Sequence, residues 1–421
     1  VPAPTALPVL APGHDRPRTR SPFGPAAPSI AASLGYTIAI AVWLVGGDAL
    51  PGGRAFTVHL FTLGVLTNLV LTFSEHFSRT LTRTPGERAW WWPVLTNLAI
   101  LAVLAGVHTR WLPLLVGGAT ALIAVVFLAY RRLRSMRRAA VGARFVWIVR
   151  LYERAHGAFI HGAVLGGLLG AGVLSGSWFG AARLAHLHTN ILGWGGLTLL
   201  ATLVFFGPTM ARTRIEPGAD ATAARALAAG ASALTVAVIA LFMAGIGGVW
   251  GVLLHAVAGA GLAVFALSAT LVCLPVARAV RRGPATAARP LILSVCTWLV
   301  VVVWVDAVVV TAQAWRFLDA LGLVALTGVL GQAILGTLIY LAPMLLGRTT
   351  SSREALRSRL DRGAWTRAVV MSAGVLSLAL GAARVLDTLP LLALGWSLLF
   401  ATVAATLLVA LWPTARSPAT T

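Results

Sequence analysis

Lysine is absent from this 421-residue chain, and only 12 acidic residues stand against 33 basic ones. Charged residues make up 11% of the sequence, less than half of what keeps an ordinary domain in water. The two cysteines, Cys273 and Cys296, form no CxxC pair. That excludes a disulfide framework and a cysteine-based metal site, and both read as small buried residues. Val1 to Pro28 lacks the apolar stretch of a secretory signal. It reads as a disordered cytoplasmic tail (1–28), with a second short tail at 413–421. The formal charge of +21 is all arginine. These arginines lie in short segments between apolar runs, which points to membrane topology and away from nucleic acid.

What the chain does have is apolar length. Hydrophobic residues make up 58% of it, in repeated runs of about 20 residues, enough to cross a bilayer. The expected fold class is all-α, a polytopic membrane protein with about 12 transmembrane helices in one membrane domain, 29–412. The spans fall near 30–47, 55–78, 91–107, 111–130, 152–175, 184–207, 225–245, 248–275, 290–313, 317–346, 366–384 and 388–411. Most arginines then collect on one side, and Arg54, Arg110, Arg183, Arg316 and Arg384 remain on the other. By the positive-inside rule both termini face the cytoplasm (N-in/C-in), and the protein is a multi-pass protein of the cell (inner) membrane.

A weak repeat runs through the spans. Shifting span 6 by 135 residues lays Gly193, Gly196, Thr202 and Pro208 on Gly328, Gly331, Thr337 and Pro343 of span 10. Shifting span 2 by 129 lays His59 on His188, Gly64 on Gly193 and Leu71 on Leu200. Spans 2, 6 and 10 are then equivalent, and the helices fall into three arcs of four.

Histidine carries the functional signal, because an imidazole inside a bilayer is costly unless bound or hydrogen-bonded. His186 and His188 open span 6, and at i and i+2 they project about 200° apart, toward two different neighbours. With His59 on span 2 and His255 on span 8 they share one outer layer, and His161 on span 5 lies nearer mid-depth. Imidazoles alone suit haem iron, copper or zinc. Two of them facing across a bundle suit the axial positions of a haem b. Arg54 and Arg183, at the same outer edge, are candidates for its propionates. Asp306 in span 9 is an intramembrane carboxylate that could relay protons, orient a histidine or pair with Arg316. Gln332 could hydrogen-bond a cofactor or a neighbouring helix, and Asn190, four residues beyond His186, could orient it. Asn68 and Asn97 read as interhelical hydrogen-bonding residues.

The stretch HLHTNILGWGGLTLLATLVFFGP resembles one helix of haem-copper oxidase subunit I, above all in the C-type oxidases. There an H-x-H is followed by LGW, a glycine-rich run and a closing Pro. RAFTVHLFTLGVLTNLVLTF resembles the early helix that supplies the partner histidine. The resemblance implies that His59 and His188 ligate a low-spin haem b and that His186 faces a second cofactor, another haem or copper. The oxidases' copper-site His and adjacent His-His pair have no counterpart in spans 6 and 7. The chain is also similar to the NnrS family, associated with haem, copper and the response to nitric oxide. It is similar too to the membrane portion fused to copper nitrite reductase-like cupredoxin domains. The expected function is electron transfer linked to respiratory or nitrogen-oxide metabolism, with a membrane quinol and an outer copper protein as partners. A secondary transporter of a small solute is the competing class, which a broken helix near Gly245 to Gly251 would favour. A haem- or copper-binding nitric-oxide-response protein without turnover is the third.

Overall fold

The computed structural model describes residues 24–50, 53–85, 91–140, 144–385 and 390–412. Thirteen helices and, among the described residues, no strand build the fold. They are α1 (Gly24–Gly46), α2 (Gly53–Thr82), α3 (Trp91–Thr109), α4 (Leu112–Ala139), α5 (Val146–Gly170) and α6 (Gly176–Met210). After these come α7 (Ala219–Ile246), α8 (Gly248–Arg282), α9 (Arg289–Thr311) and α10 (Trp315–Leu346). Last are the short α11 (Thr350–Asp361), α12 (Ala364–Ala382) and α13 (Leu391–Leu411).

Eleven of these helices are long and apolar enough to cross a membrane. Their outward faces carry Ile38, Leu98, Ile239, Val252, Val308 and Leu408, each more than half exposed, a surface that suits lipid and not water. The chain is therefore a multi-pass membrane protein. The expected fifth span is α5, which has the length but not the apolarity, since it carries Arg150, Glu153 and Arg154 along with His156 and His161. The reason lies in its surroundings. Ile148, Val149, Tyr152 and Ala155 are fully buried, and α5 packs against α4 and α6. The buried face also takes in Glu153 and His156, which lipid would reject, while Arg150, Arg154 and His161 lie on the exposed face.

The expected tails lie outside the described residues over 1–23 and 413–421. Gly24 to Pro28 belong instead to α1, where Pro28 sits in the first turn and forfeits no helical hydrogen bond. Gly245 to Gly251 form no break within a span. A 3-10 turn closes α7, Gly247 and Gly248 take positive φ (74° and 58°), and α8 begins at once.

The repeat is visible in the backbone. α2, α6 and α10 each contain one π-helical stretch, at Leu60–Thr67, Thr189–Gly196 and Val324–Gly331. These stretches are displaced by the same 129 and 135 residues that align the sequence. Each is packed by the first helix of its own arc: α1, α5 and α9. The fifth π residue is glycine every time. A Cβ on Gly64 would strike the Tyr36 ring, one on Gly193 would meet Ala158 at 2.8 Å, and one on Gly328 would meet Trp298 at 3.3 Å. The three stretches converge on a common axis. A Cβ on Gly195 would lie 3.1 Å from Leu330 and 3.4 Å from Leu66, and these three positions are equivalent under the repeat. Two leucines meet at the axis because the third position is glycine. α6 is the most enclosed of the crossings, with 78% of its apolar window buried against 22% for α13, so the H-x-H helix stands at the centre.

Candidate functional site

The i, i+2 spacing sends His186 and His188 to different neighbours. His186 turns toward α2 and α5. Its ring centre lies 6.3 Å from that of His59, with the ring planes 26° apart. His186 Nδ1 donates to the Gly162 carbonyl of α5 at 2.8 Å, and His59 Nδ1 donates to the Ala55 carbonyl at 2.7 Å. A carbonyl accepts only from N–H, so both imidazoles carry the proton on Nδ1 and keep the Nε2 lone pair for another partner. Both rings are half-buried. Asn190 Nδ2 donates to the His186 carbonyl at 2.8 Å and lies beside the ring, which holds that turn in place. Gly166 of α5 admits the ring: a Cβ there would come within 2.7 Å of His186 Cε1.

His188 turns the other way, toward α9. It is 4% exposed. Its Nδ1 donates to the Leu184 carbonyl at 2.8 Å, and its Nε2 lies 3.2 Å and 3.1 Å from the two carboxylate oxygens of Asp306. One proton lies between them. Imidazolium with carboxylate and imidazole with carboxylic acid carry the same net charge of zero, which makes the pair tolerable in an apolar interior. Asp306 therefore orients a histidine and does not pair with Arg316, whose guanidinium lies 4.7 Å above the Phe317 ring.

The single layer of four histidines is thus divided. His59 and His186 form one station and His188 with Asp306 another. His255 packs on the Trp315 ring at 5.2 Å, and His161 lies on the exposed face of α5. Arg54 forms an exposed ion pair with Asp319, at the start of α10, at 2.6 Å. Arg183 is exposed and has no ion-pair partner among the described residues.

Below the histidines lies a polar group in which Gln332 was expected from the sequence and Tyr152 and His156 were not. His156 is fully buried, edge-on to Trp194 at 4.9 Å, with Nδ1 donating to the Tyr152 carbonyl and Nε2 unpartnered. The Tyr152 and Thr202 hydroxyls share a hydrogen bond of 2.9 Å. Gln332 is fully buried with neither amide atom hydrogen-bonded. It lines a cavity of about 30 Å³ with Thr202 and Thr337, room for a water that would satisfy it. Asn68 and Asn97, by contrast, exchange reciprocal amide hydrogen bonds of 3.0 Å. The fixed pitch of α5 puts His156 one turn above Tyr152, yet only the tertiary structure says which face is enclosed.

Among the described residues, no three His, Cys, Asp or Glu side chains converge to hold a metal ion. A bare copper or zinc ion asks for three or four such donors. Two imidazoles fit an iron that brings its own equatorial nitrogens. His59 and His186 bring two such imidazoles side by side, with ring centres 6.3 Å apart. No protein-family model matches the sequence, and no curated protein does.

Proposed function

We propose that the chain is a haem-binding membrane electron carrier, with a b-type haem held between His59 and His186. The observation that carries this reading is the pair itself: two imidazoles with ring centres 6.3 Å apart, each with Nδ1 committed to a backbone carbonyl, which would leave both Nε2 lone pairs to hold an iron. This pairing differs from the His59–His188 pair that the oxidase resemblance implies, because Asp306 occupies His188 Nε2. A haem bound there supplies one-electron chemistry.

The chain's own residues bind and orient. Ala55 and Gly162 fix the imidazole tautomers, Gly166 makes room for the His186 ring, and Asn190 steadies the turn that carries it. Arg183, exposed and without an ion-pair partner among the described residues, is the readier cation for an acidic substituent of the haem, and Arg54, in an exposed pair with Asp319, is the second. A role in respiratory or nitrogen-oxide metabolism, a quinol donor, an outer copper-protein acceptor and a place in the cell membrane rest on the resemblance in α2 and α6.

The test is the absorption spectrum of the detergent-purified protein, oxidised and then reduced with dithionite. A sharp reduced α-band is expected in the wild type. It should be lost in His59→Ala and His186→Ala and kept in His255→Ala and His161→Ala. A protein that stays colourless after expression with ample haem would overturn the reading and favour a carrier of small solutes. A band that survives His186→Ala but not His188→Ala would return the axial role to His188.

A further inference from the structure

A second polar cavity lies at the arginine-rich end, away from the histidines. It occupies about 320 Å³ between the α8–α9 connection and the α11–α12 connection, within the size range of small-molecule sites. Thr286 and Arg289 line one wall, and Asp361 with Ala364, Trp365 and Thr366 line the other. Three kinds of hydrogen-bond donor gather there. The first main-chain bond into α12 runs from Arg367 to Gly363 at 3.0 Å, so the N–H groups of Ala364, Trp365 and Thr366 open this 19-residue helix without an acceptor. Such a helix start favours anions. Thr286 is only 8% exposed and its hydroxyl has no hydrogen-bond partner. Arg289 is clamped by the carbonyls of Gly283 (2.8 Å) and Arg281 (2.6 Å), yet its Nε–H is also buried and unpartnered. A fixed guanidinium, a buried hydroxyl and a set of free amides suit a phosphate.

One acceptor stands among these donors. Asp361 takes the Ala287 N–H on one carboxylate oxygen at 2.6 Å and keeps the other. It would repel a bare anion and attract a cation attached to one. Trp365, more than half exposed, marks the level of the membrane interface, where amphipathic rings settle. We propose that this cavity binds a phosphate ester that also carries a primary ammonium group, the phosphate on Thr286, Arg289 and the start of α12, and the ammonium N–H on Asp361, which the quaternary ammonium of phosphatidylcholine lacks. Two sources share that chemistry: the headgroup of phosphatidylethanolamine in the surrounding bilayer, and soluble phosphoethanolamine.

The test uses the full chain in nanodiscs and reads bound ligand by native mass spectrometry, with thermal unfolding alongside. One arm adds phosphatidylethanolamine to phosphatidylcholine discs, and the other adds phosphoethanolamine to discs of phosphatidylcholine alone. Saturable binding in either arm is expected, and the arm that responds identifies the source. Arg289→Gln should weaken it about tenfold, the loss of one charge-assisted contact. Thr286→Val, which keeps the side-chain shape and leaves the Arg289 clamp untouched, should weaken it about three- to tenfold. Arg357→Gln removes the same charge from α11 outside the cavity and should change nothing. Equal binding by wild type and Thr286→Val, or no binding in either arm, would overturn the proposal. So would a ligand preference for phosphatidylglycerol over the ammonium-bearing lipid.

Discussion

α2 and α10 are built alike and used differently. Both carry a π stretch with glycine at its fifth residue, and both receive an aromatic side chain from the first helix of their arc, Tyr36 or Trp298. Yet the residue just ahead of the π stretch is His59 in α2 and Leu323 in α10. Four residues beyond the glycine, Asn68 finds its mate in Asn97, whereas Gln332 has none. The π stretch persists where there is no histidine to present, so its first duty is to bring Leu66, Gly195 and Leu330 to the axis. The histidines are an addition to that scaffold, and at these positions they occur only in the first two arcs.

The comparison breaks most completely at the axis. Gly195→Leu would put a third branched side chain where two already meet, and no monodisperse protein should survive size-exclusion chromatography. Gly195→Ala should cost about 1–3 kcal/mol, the usual range for overpacking, read as a lowered unfolding temperature. If Gly195→Leu behaves like the wild type, the arcs do not depend on a shared axis.

The third arc supplies no ligand but lends Asp306 to the second. Asp306→Leu strands His188 Nε2 in an apolar interior and should cost about 3–5 kcal/mol, as breaking a buried ion pair does. Asp306→Asn keeps a hydrogen-bonding partner and should cost less than half as much in the same denaturation series. Equal losses would mean that the carboxylate charge, and not the contact, is what His188 needs.

A smaller effect is expected at Gly166, whose counterpart in the third arc is Val301. The third arc has no ring to accommodate there, whereas Gly166→Ala would push on His186. Haem affinity should fall about 10- to 100-fold, the usual penalty for disturbing the support of a metal ligand. Helicity by circular dichroism should not change. The smallest effect belongs to Gln332→Leu. Removing an unpartnered buried amide is neutral or stabilising by up to about 1 kcal/mol, unless the 30 Å³ cavity holds a water that already satisfies it.

The spans, the repeat and the two-sided H-x-H were legible because each is a matter of spacing along one helix. Apolar length marks a crossing, identical offsets mark equivalent helices, and two residues at i and i+2 cannot share a face. What stayed hidden depends on how each helix is rotated against its neighbours. The resemblance pairs His59 with His188, whereas in the fold α5 presents the Gly162 carbonyl to His186 and the His186 ring lies beside His59. Asp306 lies 118 residues from His188, and nothing local links them. Arg54 and Asp319 are 265 residues apart, and only the closure of the first arc against the third joins them. α5 fell short as an apolar span partly because Glu153 and His156 are spent inside the protein, a placement that hydropathy along the chain cannot show.

A π stretch also works as a phase shift in a screw. Each residue of an α-helix advances about 100°, so one extra residue per turn turns everything beyond it relative to everything before. In α6 the portion ahead of the stretch aims His186 at one arc and His188 at another. The portion behind it aims Thr202 at Tyr152. The two halves of one rod are therefore indexed separately, and each can be tuned without disturbing the other. A single-residue deletion inside Thr189–Gly196 would relock them, swinging the histidines by about a quarter-turn while leaving the deeper half in register.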